Sequence, residues 1–306
     1  MTSSCQNSSI ELVEVGPRDG LQNEPDIVST DNKLAMIVRM LDYGARRLEV
    51  ASFVHPKRVP QMADAEAVIA GLPDIEDATY IGLALNKRGV LRGLETRNGG
   101  KRGIDQVGCV IVASDTFGQK NQGQTIAQGI AENREMIRFA KTEGMSAQIT
   151  ISAAFGCPFE GEVKAETVIA IAEEIAAEGP AEIALADTIG VGVPSQASDL
   201  FGRLGELLNS EIPLRCHFHN TRGTGIANAW AAYQAGVRTF DASLGGLGGC
   251  PFAPKATGNI ATEELIYLMD ISGVESGIAL ERAIAANHWF AEIINRELPS
   301  LVARAA

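Results

Sequence analysis

The chain has 306 residues, which fits either two average domains or one (β/α)8 barrel of roughly 250 residues with additions. It is 45% hydrophobic with a formal net charge of −12, which excludes a disordered chain and argues against partners such as nucleic acid or an anionic membrane. The polar start lacks the apolar region of a signal peptide, and no apolar run approaches the length of a membrane span, so we expect a cytoplasmic protein. Five scattered cysteines without a Cys-x-x-Cys spacing indicate reduced thiols.

Short β-branched segments alternate with amphipathic helical segments along the whole chain. The predicted strands are residues 10–15, 47–51, 79–85, 106–112, 148–152, 182–186, 214–218 and 237–241. Between them apolar residues recur at helical spacing, as at Leu34, Ile37 and Leu41. Eight such units in series predict parallel strands joined by right-handed crossovers. The first strand lacks the phosphate-binding fingerprint of an open doubly wound sheet, so we predict a closed TIM barrel.

The domain organisation follows from the same pattern. We predict an α/β TIM-barrel catalytic domain over residues 8–275 and a C-terminal helical extension over 276–306, packed on the barrel. The segment 277–298 has an amphipathic helical pattern. It either caps the barrel or joins a subunit interface.

Polar and ionisable residues concentrate where these predicted strands end. Chemistry in TIM barrels takes place at the carboxyl ends of the strands. The residues at those ends are Arg18, Asp19, Glu49, Ser52, Asn86, Ser114, Asp115, Asp187, His217, His219, Asp241 and Ser243. We therefore predict an active site at this end, although the polar loops of a purely structural barrel would show part of the same pattern.

The seventh predicted strand ends in Cys-His-Phe-His-Asn. Because side chains alternate along a strand, His217 and His219 share one face and are able to bind one divalent cation, whereas Cys216 points the other way. A pair of hydrogen-bonded histidines is the alternative interpretation. The eighth strand closes onto the first, which brings Asp19 near, and a carboxylate with two imidazoles favours a cation site. This donor set suits Mg²⁺ or Mn²⁺, with Zn²⁺ or Co²⁺ also plausible.

A glycine-rich loop follows the last predicted strand, with the sequence Leu-Gly-Gly-Leu-Gly-Gly-Cys-Pro-Phe-Ala at residues 244–253. Loops of this composition often act as lids that deliver a reactive group, here the thiol of Cys250. A plain linker or a phosphate-binding turn would have a similar composition. Its position beside the two histidines favours the catalytic interpretation.

Several segments of the chain together resemble the 3-hydroxy-3-methylglutaryl-CoA lyase family over about residues 10–270. They are Gly-Pro-Arg-Asp-Gly-Leu-Gln-Asn-Glu at 16–24, Ser-Phe-Val at 52–54, Pro-Gln-Met at 60–62, Gly-Cys-Pro at 156–158, Asp-Thr-Ile-Gly at 187–190, the two-histidine strand and the glycine-rich loop. The Arg-Asp-Gly and two-histidine segments also resemble metal-dependent synthases such as isopropylmalate synthase. The glycine-rich loop points more narrowly to the acyl-CoA lyases.

The resemblance implies retro-Claisen cleavage of 3-hydroxy-3-methylglutaryl-CoA, or a close analogue such as citramalyl-CoA, to acetyl-CoA and a keto acid (acetoacetate in the parent case). It also implies a homo-oligomer, a dimer or larger. The metal ligands that it implies are Asp19, His217, His219 and Asn259. The catalytic residues that it implies are Arg18 for the enolate, Cys250 as the loop acid, and Glu49 and Asp187 for proton relay or support. We further expect Arg18, Gln22, Ser52 and Asn86 to bind the acyl-CoA substrate.

Some positions depart from the family pattern, namely Pro25, His55, Asn220 and Arg222. Asn220 is typical of the synthase branch, and Arg222 either meets a carboxylate or is solvated. The sequence shows no CoA-binding motif, and the basic candidates are Lys57, Arg58 and Lys120. The alternative functions are a metal-dependent condensing enzyme of the isopropylmalate or citramalate synthase type, which normally needs a longer C-terminal region, and a non-catalytic barrel that serves as a binding module.

Overall fold

Eight parallel strands close into a barrel in chain order in the computed structural model, which describes residues 9–209, 211–249 and 258–306. The strands are β1 (Glu11–Glu14), β2 (Arg47–Ser52), β3 (Thr79–Leu83), β4 (Gln106–Val112), β5 (Ser146–Ser152), β6 (Ile183–Asp187), β7 (Leu214–Phe218) and β8 (Thr239–Ala242). β1 pairs with both β2 and β8, which closes the ring. The predicted TIM barrel is confirmed, and each predicted strand end lies within two residues of the observed one.

Helices surround this barrel. They are α1 (Thr30–Asp42), α2 (Ala65–Ala70), α3 (Lys87–Glu95), α4 (Asp115–Asn121), α5 (Ile126–Thr142), α6 (Ala165–Ala176), α7 (Pro194–Leu208), α8 (Gly225–Gln234), α9 (Thr262–Ile271), α10 (Leu280–Ile293) and α11 (Leu301–Ala305). Their buried apolar residues share one core with the outward faces of the strands. None of the described helices is long and apolar enough to cross a bilayer.

The C-terminal helices lie on the flank of the barrel. α10 packs against α1, where the Ala279 N–H donates to Tyr43 O (2.7 Å) and Arg282 Nη1 donates to Asp42 O (3.0 Å). The predicted C-terminal helix is therefore present, between residues 280 and 293. The boundary at residue 275 stays a prediction.

The barrel interior contains charged side chains instead of a purely apolar filling. Arg47 on β2 pairs with Glu182 (Nη2–Oε2, 3.0 Å), which directly precedes β6 on the opposite side of the ring, so the two meet inside. Arg215 on β7 also approaches Glu182 (Nε–Oε2, 3.0 Å) and pairs with Asp241 on β8 (Nη1–Oδ1, 3.2 Å). Opposite charges compensate one another here, which limits the cost of burying them.

Candidate active site

A short π-helical turn, Gly16–Gly20, follows β1 and carries Arg18 and Asp19. Glu14, the last residue of β1, holds the start of this turn because its Oε1 accepts the Gly16 N–H (2.9 Å). A Cβ at position 16 would lie 2.8 Å from that oxygen, so the contact requires glycine. The turn thereby places Arg18 and Asp19 at the carboxyl end of the barrel.

The buried carboxylate of Glu14 also reaches the glycine-rich loop. Its Oε1 accepts the Leu244 N–H (3.0 Å), and its Oε2 accepts the hydroxyls of Tyr43 (2.5 Å) and Thr262 (2.6 Å). Burial raises the pKa of Glu14, and these donors oppose that rise. One carboxylate thus ties the turn that carries Asp19 to the first residue of the loop.

Asp19, His217 and His219 form a three-residue cluster in which one ligand atom from each lies within 4.8 Å of the other two. His217 is the penultimate residue of β7, and His219 directly follows the strand, so both imidazoles share the face that the sequence predicts. His217 Nε2 faces Asp19 (4.0 Å to Oδ2), and its Nδ1 bonds to Asp241 Oδ2 (3.0 Å). The cluster is a candidate site for a divalent cation.

Asn259 completes this cluster. It forms a β-bridge with His219, and its Nδ2 donates to Asp19 Oδ2 (2.9 Å) and to Leu247 O (3.0 Å). Its Oδ1 is buried and has no hydrogen-bond partner among the described residues. A buried, unpartnered amide oxygen beside a carboxylate and two imidazoles fits a cation ligand, since such an oxygen otherwise costs free energy.

Asp19 and His219 have the protonation states that a cation ligand needs, whereas His217 would have to lose its proton to bind one. Burial would raise the pKa of Asp19, but Arg18 and the two histidines bring it well below its ordinary value, so it is ionised. Burial, assisted by His217, lowers the pKa of His219 to about 4, which keeps that imidazole neutral. Burial would also lower the pKa of His217, but its hydrogen bond to Asp241 raises it above the ordinary value.

Arg18 lies beside the cluster and is held in place from two sides. Its Nη1 donates to Asp19 Oδ1 (2.6 Å) and, more weakly, to Gln22 Oε1 (3.4 Å), and its Nη2 donates to Glu49 Oε2 (2.7 Å). Burial would lower the pKa of Arg18, but Glu49 and Asp19 raise it above its ordinary value. The guanidinium is therefore a fixed positive charge next to the candidate cation site.

These residues surround a central cavity of about 280 Å³ at the carboxyl end of the barrel. Six predicted site residues line it, namely Arg18, Asp19, Gln22, Glu49, His217 and His219. Gly249 also lines it and accepts a hydrogen bond from Asn23 Nδ2 (2.7 Å), which places the described part of the glycine-rich loop at the cavity. Cys250 lies outside the described residues, so its predicted role stays a prediction.

Besides Asn259, three further predicted site residues are not part of the cavity lining. Ser52 Oγ accepts the Val54 N–H (3.3 Å), and Asn86 Oδ1 caps α3 at the Gly89 N–H (3.0 Å). Asp187 is buried and accepts the N–H groups of Val191 (2.9 Å) and Gly192 (2.8 Å). The structure thus places all three in the support of loops and helix ends, and their substrate or catalytic roles stay predictions.

Positions that depart from the family pattern also serve the loops. Arg222 Nη1 donates to the carbonyl oxygens of Ile189 (3.0 Å) and Gly190 (2.9 Å), and Asn220 Oδ1 accepts the Gly225 N–H (3.2 Å). Arg222 is thus bound to backbone carbonyl groups while it stays exposed to solvent, and neither contact is with a carboxylate. Of the basic CoA candidates, Arg58 lines the cavity.

The sequence interpretation assigned no specific role to several polar residues of the cavity lining, among them Thr150, Thr188, Arg215 and Asp241. The inward direction of Arg215 is predictable from the sequence, because Arg215 stands two residues before His217 and therefore lies on the same face of the strand. The partners of Thr150 and Asp241 depend on which strands are neighbours in the closed barrel. That information lies in the register of the strands.

Comparison with known proteins gives one consistent result. The HMGL-like family model matches residues 9–289. The (R)-citramalyl-CoA lyase of Chloroflexus aurantiacus is 40% identical over 97% of this chain and 95% of its own, and the hydroxymethylglutaryl-CoA lyase of Bacillus subtilis is 36% identical over 95% of each. A structure of an HMG-CoA lyase from Acinetobacter baumannii, in complex with coenzyme A and 3-methylmalate, has a TM-score of 0.92 and 37% identity, and the match covers 100% of this chain and 97% of that one.

Proposed function

The chain belongs to the HMGL-like family and is an acyl-CoA lyase of the hydroxymethylglutaryl-CoA lyase type, and from this premise we propose its substrate class, its cation and the roles of its residues. The proposed substrate is a 3-hydroxy-3-methylacyl-CoA whose acyl chain ends in a carboxylate. Cleavage of 3-hydroxy-3-methylglutaryl-CoA yields acetyl-CoA and acetoacetate, and cleavage of citramalyl-CoA yields acetyl-CoA and pyruvate. The names of the relatives and the coenzyme A bound to one of them support this class.

The observation that carries the proposal is the cluster of Asp19, His217 and His219 beside the unpartnered oxygen of Asn259. These four residues would hold one divalent cation. Two nitrogen and two oxygen donors with open positions favour Mg²⁺ or Mn²⁺ over a closed structural zinc site. When bound, the cation supplies the Lewis acidity that lowers the pKa of the tertiary hydroxyl of the substrate.

The residues around the cluster have separate roles in charge stabilisation, positioning and proton transfer. The Arg18 guanidinium stabilises the negative charge that develops on the thioester oxygen as the carbon–carbon bond breaks. Glu49 holds that guanidinium in place through its 2.7 Å hydrogen bond and is a positioning residue in this scheme. Cys250 protonates the departing acetyl-CoA carbanion from the loop. Asp187 remains a candidate for proton relay, although both of its oxygens accept backbone N–H groups.

The proposal is tested with protein stripped of metal by a chelator. We expect acetyl-CoA release from 3-hydroxy-3-methylglutaryl-CoA, citramalyl-CoA or both, and we expect it to require added Mg²⁺ or Mn²⁺, with Zn²⁺ and Co²⁺ as comparisons. The control substrate is 3-hydroxybutyryl-CoA, which lacks both the methyl branch and the carboxylate. Release without any divalent cation, or release from the control alone, would contradict the proposal. Light scattering on the same sample tests the predicted homo-oligomer.

A further inference from the structure

Arg215 and Thr150 lie at the bottom of the central cavity, one level below the cluster of Asp19, His217 and His219. Ala184 on β6 pairs with both Thr150 on β5 and Arg215 on β7, so these three residues form one row across three strands. His217 is two residues further along β7, in the row above. A strand rises about 3.3 Å per residue, which separates the two rows by about 6.6 Å. The row of Arg215 is therefore a floor beneath the two histidines.

The Arg215 side chain spans this floor from β8 to β5. Its Nη2 donates to Thr150 Oγ1 (3.2 Å), and its Nη1 donates to Asp241 Oδ1 (3.2 Å). The reach over β6 is possible because Ala184, which stands between, has only a methyl group. Arg215 is 4% exposed, and both it and Thr150 are part of the cavity lining. A ligand that reaches this depth of the cavity thus meets a guanidinium edge and a hydroxyl.

The neighbouring acidic groups leave Arg215 with capacity for a further anion. Glu182 is shared with Arg47, which binds both of its oxygens (3.1 and 3.0 Å), and Asp241 is shared with His217. A guanidinium carries five N–H donors, and hydrogen bonds with the described residues engage one hydrogen on Nη1 and one on Nη2, while Nε lies 3.0 Å from Glu182 Oε2 without a hydrogen bond. Each of Nη1 and Nη2 keeps a second hydrogen. Thr150 accepts from Arg215, and among the described residues its own hydroxyl hydrogen has no acceptor.

We infer that Arg215 and Thr150 bind the carboxylate of the acid half of the substrate, as a specificity-determining pair. This inference rests on the proposed function, because it assigns a binding site to the carboxylate of the proposed substrate. Arg18 serves the thioester at the mouth of the cavity, and Arg215 serves the carboxylate at its floor. An arginine with a hydroxyl neighbour suits a carboxylate because it offers several charge-assisted hydrogen bonds.

The test compares two ligands that differ in one group. Citramalyl-CoA has a carboxylate where 3-hydroxy-3-methylbutyryl-CoA has a methyl group. With saturating Mn²⁺, we expect Arg215→Met to raise the KM for citramalyl-CoA by about 10- to 100-fold. The inhibition constant of the methyl analogue should change less than about threefold, because it has no charge for Arg215 to bind.

Arg47→Met is the matched control, because it removes the other guanidinium bound to Glu182 but lies outside the cavity lining. It should lower the melting temperature without a selective change in KM. If Arg215→Met does not fold, Thr150→Val removes the hydroxyl at nearly constant volume and should raise the same KM selectively by about threefold or more. Equal weakening of both ligands would overturn the inference. Absence of acetyl-CoA release by the wild-type protein would instead contradict the proposed function.

Discussion

Asp241→Asn is the substitution whose effect on the candidate cation site follows most directly from the geometry. Both oxygens of Asp241 accept hydrogen bonds, from His217 Nδ1 (3.0 Å) and from Arg215 Nη1 (3.2 Å). An amide has only one acceptor, so its NH₂ group must face one of these two donors. If it faces His217, the ring hydrogen moves to Nε2, which is the nitrogen directed at Asp19. That nitrogen then has no lone pair for a cation.

The expected magnitude is set by this loss of support. Removal of a carboxylate that orients a metal-binding histidine typically costs 10- to 100-fold in metal affinity, about 1.4–2.7 kcal/mol. Asp241 also contributes a negative charge 3.0 Å from the ring, so we expect the upper end of that range. Turnover should recover at high metal concentration, because Arg18 and the cavity stay in place.

The assay is titration of chelator-treated protein with Mn²⁺ by isothermal calorimetry, followed by turnover at increasing Mn²⁺. Asp199→Asn on the exposed face of α7 is the control, since its carboxylate contacts only Arg203, at 3.4 Å, among the described residues. The control should bind Mn²⁺ like the wild-type protein. An Asp241→Asn protein that is folded and binds Mn²⁺ within about threefold of wild type would refute the reasoning.

Three other predictions concern the arginine, the loop cysteine and a buried glutamate. Arg18→Met should lower kcat/KM by roughly 10²–10⁴ and also destabilise the fold, because Glu49 loses its partner. The double variant Arg18→Met, Glu49→Gln should restore the melting temperature but not kcat/KM. Cys250→Ala should retain Mn²⁺ affinity in calorimetry and slow turnover, and full activity would remove the thiol from the mechanism. Burial raises the pKa of Glu263 from 4.5 to about 7, so the folded protein holds a proton that the unfolded chain releases. The free energy of unfolding should therefore fall by up to about 3 kcal/mol from pH 4.5 to pH 7 and then level, and in urea titrations Glu263→Gln should flatten this slope.

The barrel and most of the cation cluster are readable from the sequence because both depend on short-range patterns. Alternation along a single strand puts His217 and His219 on one face, and the rhythm of eight units implies a ring in which Asp19 comes near them. Both inferences need only the order of the strands, not their exact register.

The contacts that the sequence did not predict depend on longer-range detail. Asn86 follows β3 and Asp187 ends β6, where catalytic residues of TIM barrels also lie. A side chain at such a point is equally able to cap the next helix or turn, and both residues have such contacts. Glu14 looks like one more strand residue until its four donors are known. Arg215 is able to contact Thr150 because the residue between them in the register is Ala184, which has a small side chain.

The hydrogen bond between Glu14 and Leu244 joins positions separated by 230 residues, and that between Asn259 and Asp19 spans 240. Both cross the seam where the first strand meets the last. A nascent chain that has folded only six or seven strands therefore does not yet have a complete site. Contacts of such long range form late, because the chain entropy of closing the ring is lost before they stabilise it. A cation that binds only the closed ring would shift the folding equilibrium towards it, so metal supply should affect the yield of folded protein as well as its catalysis.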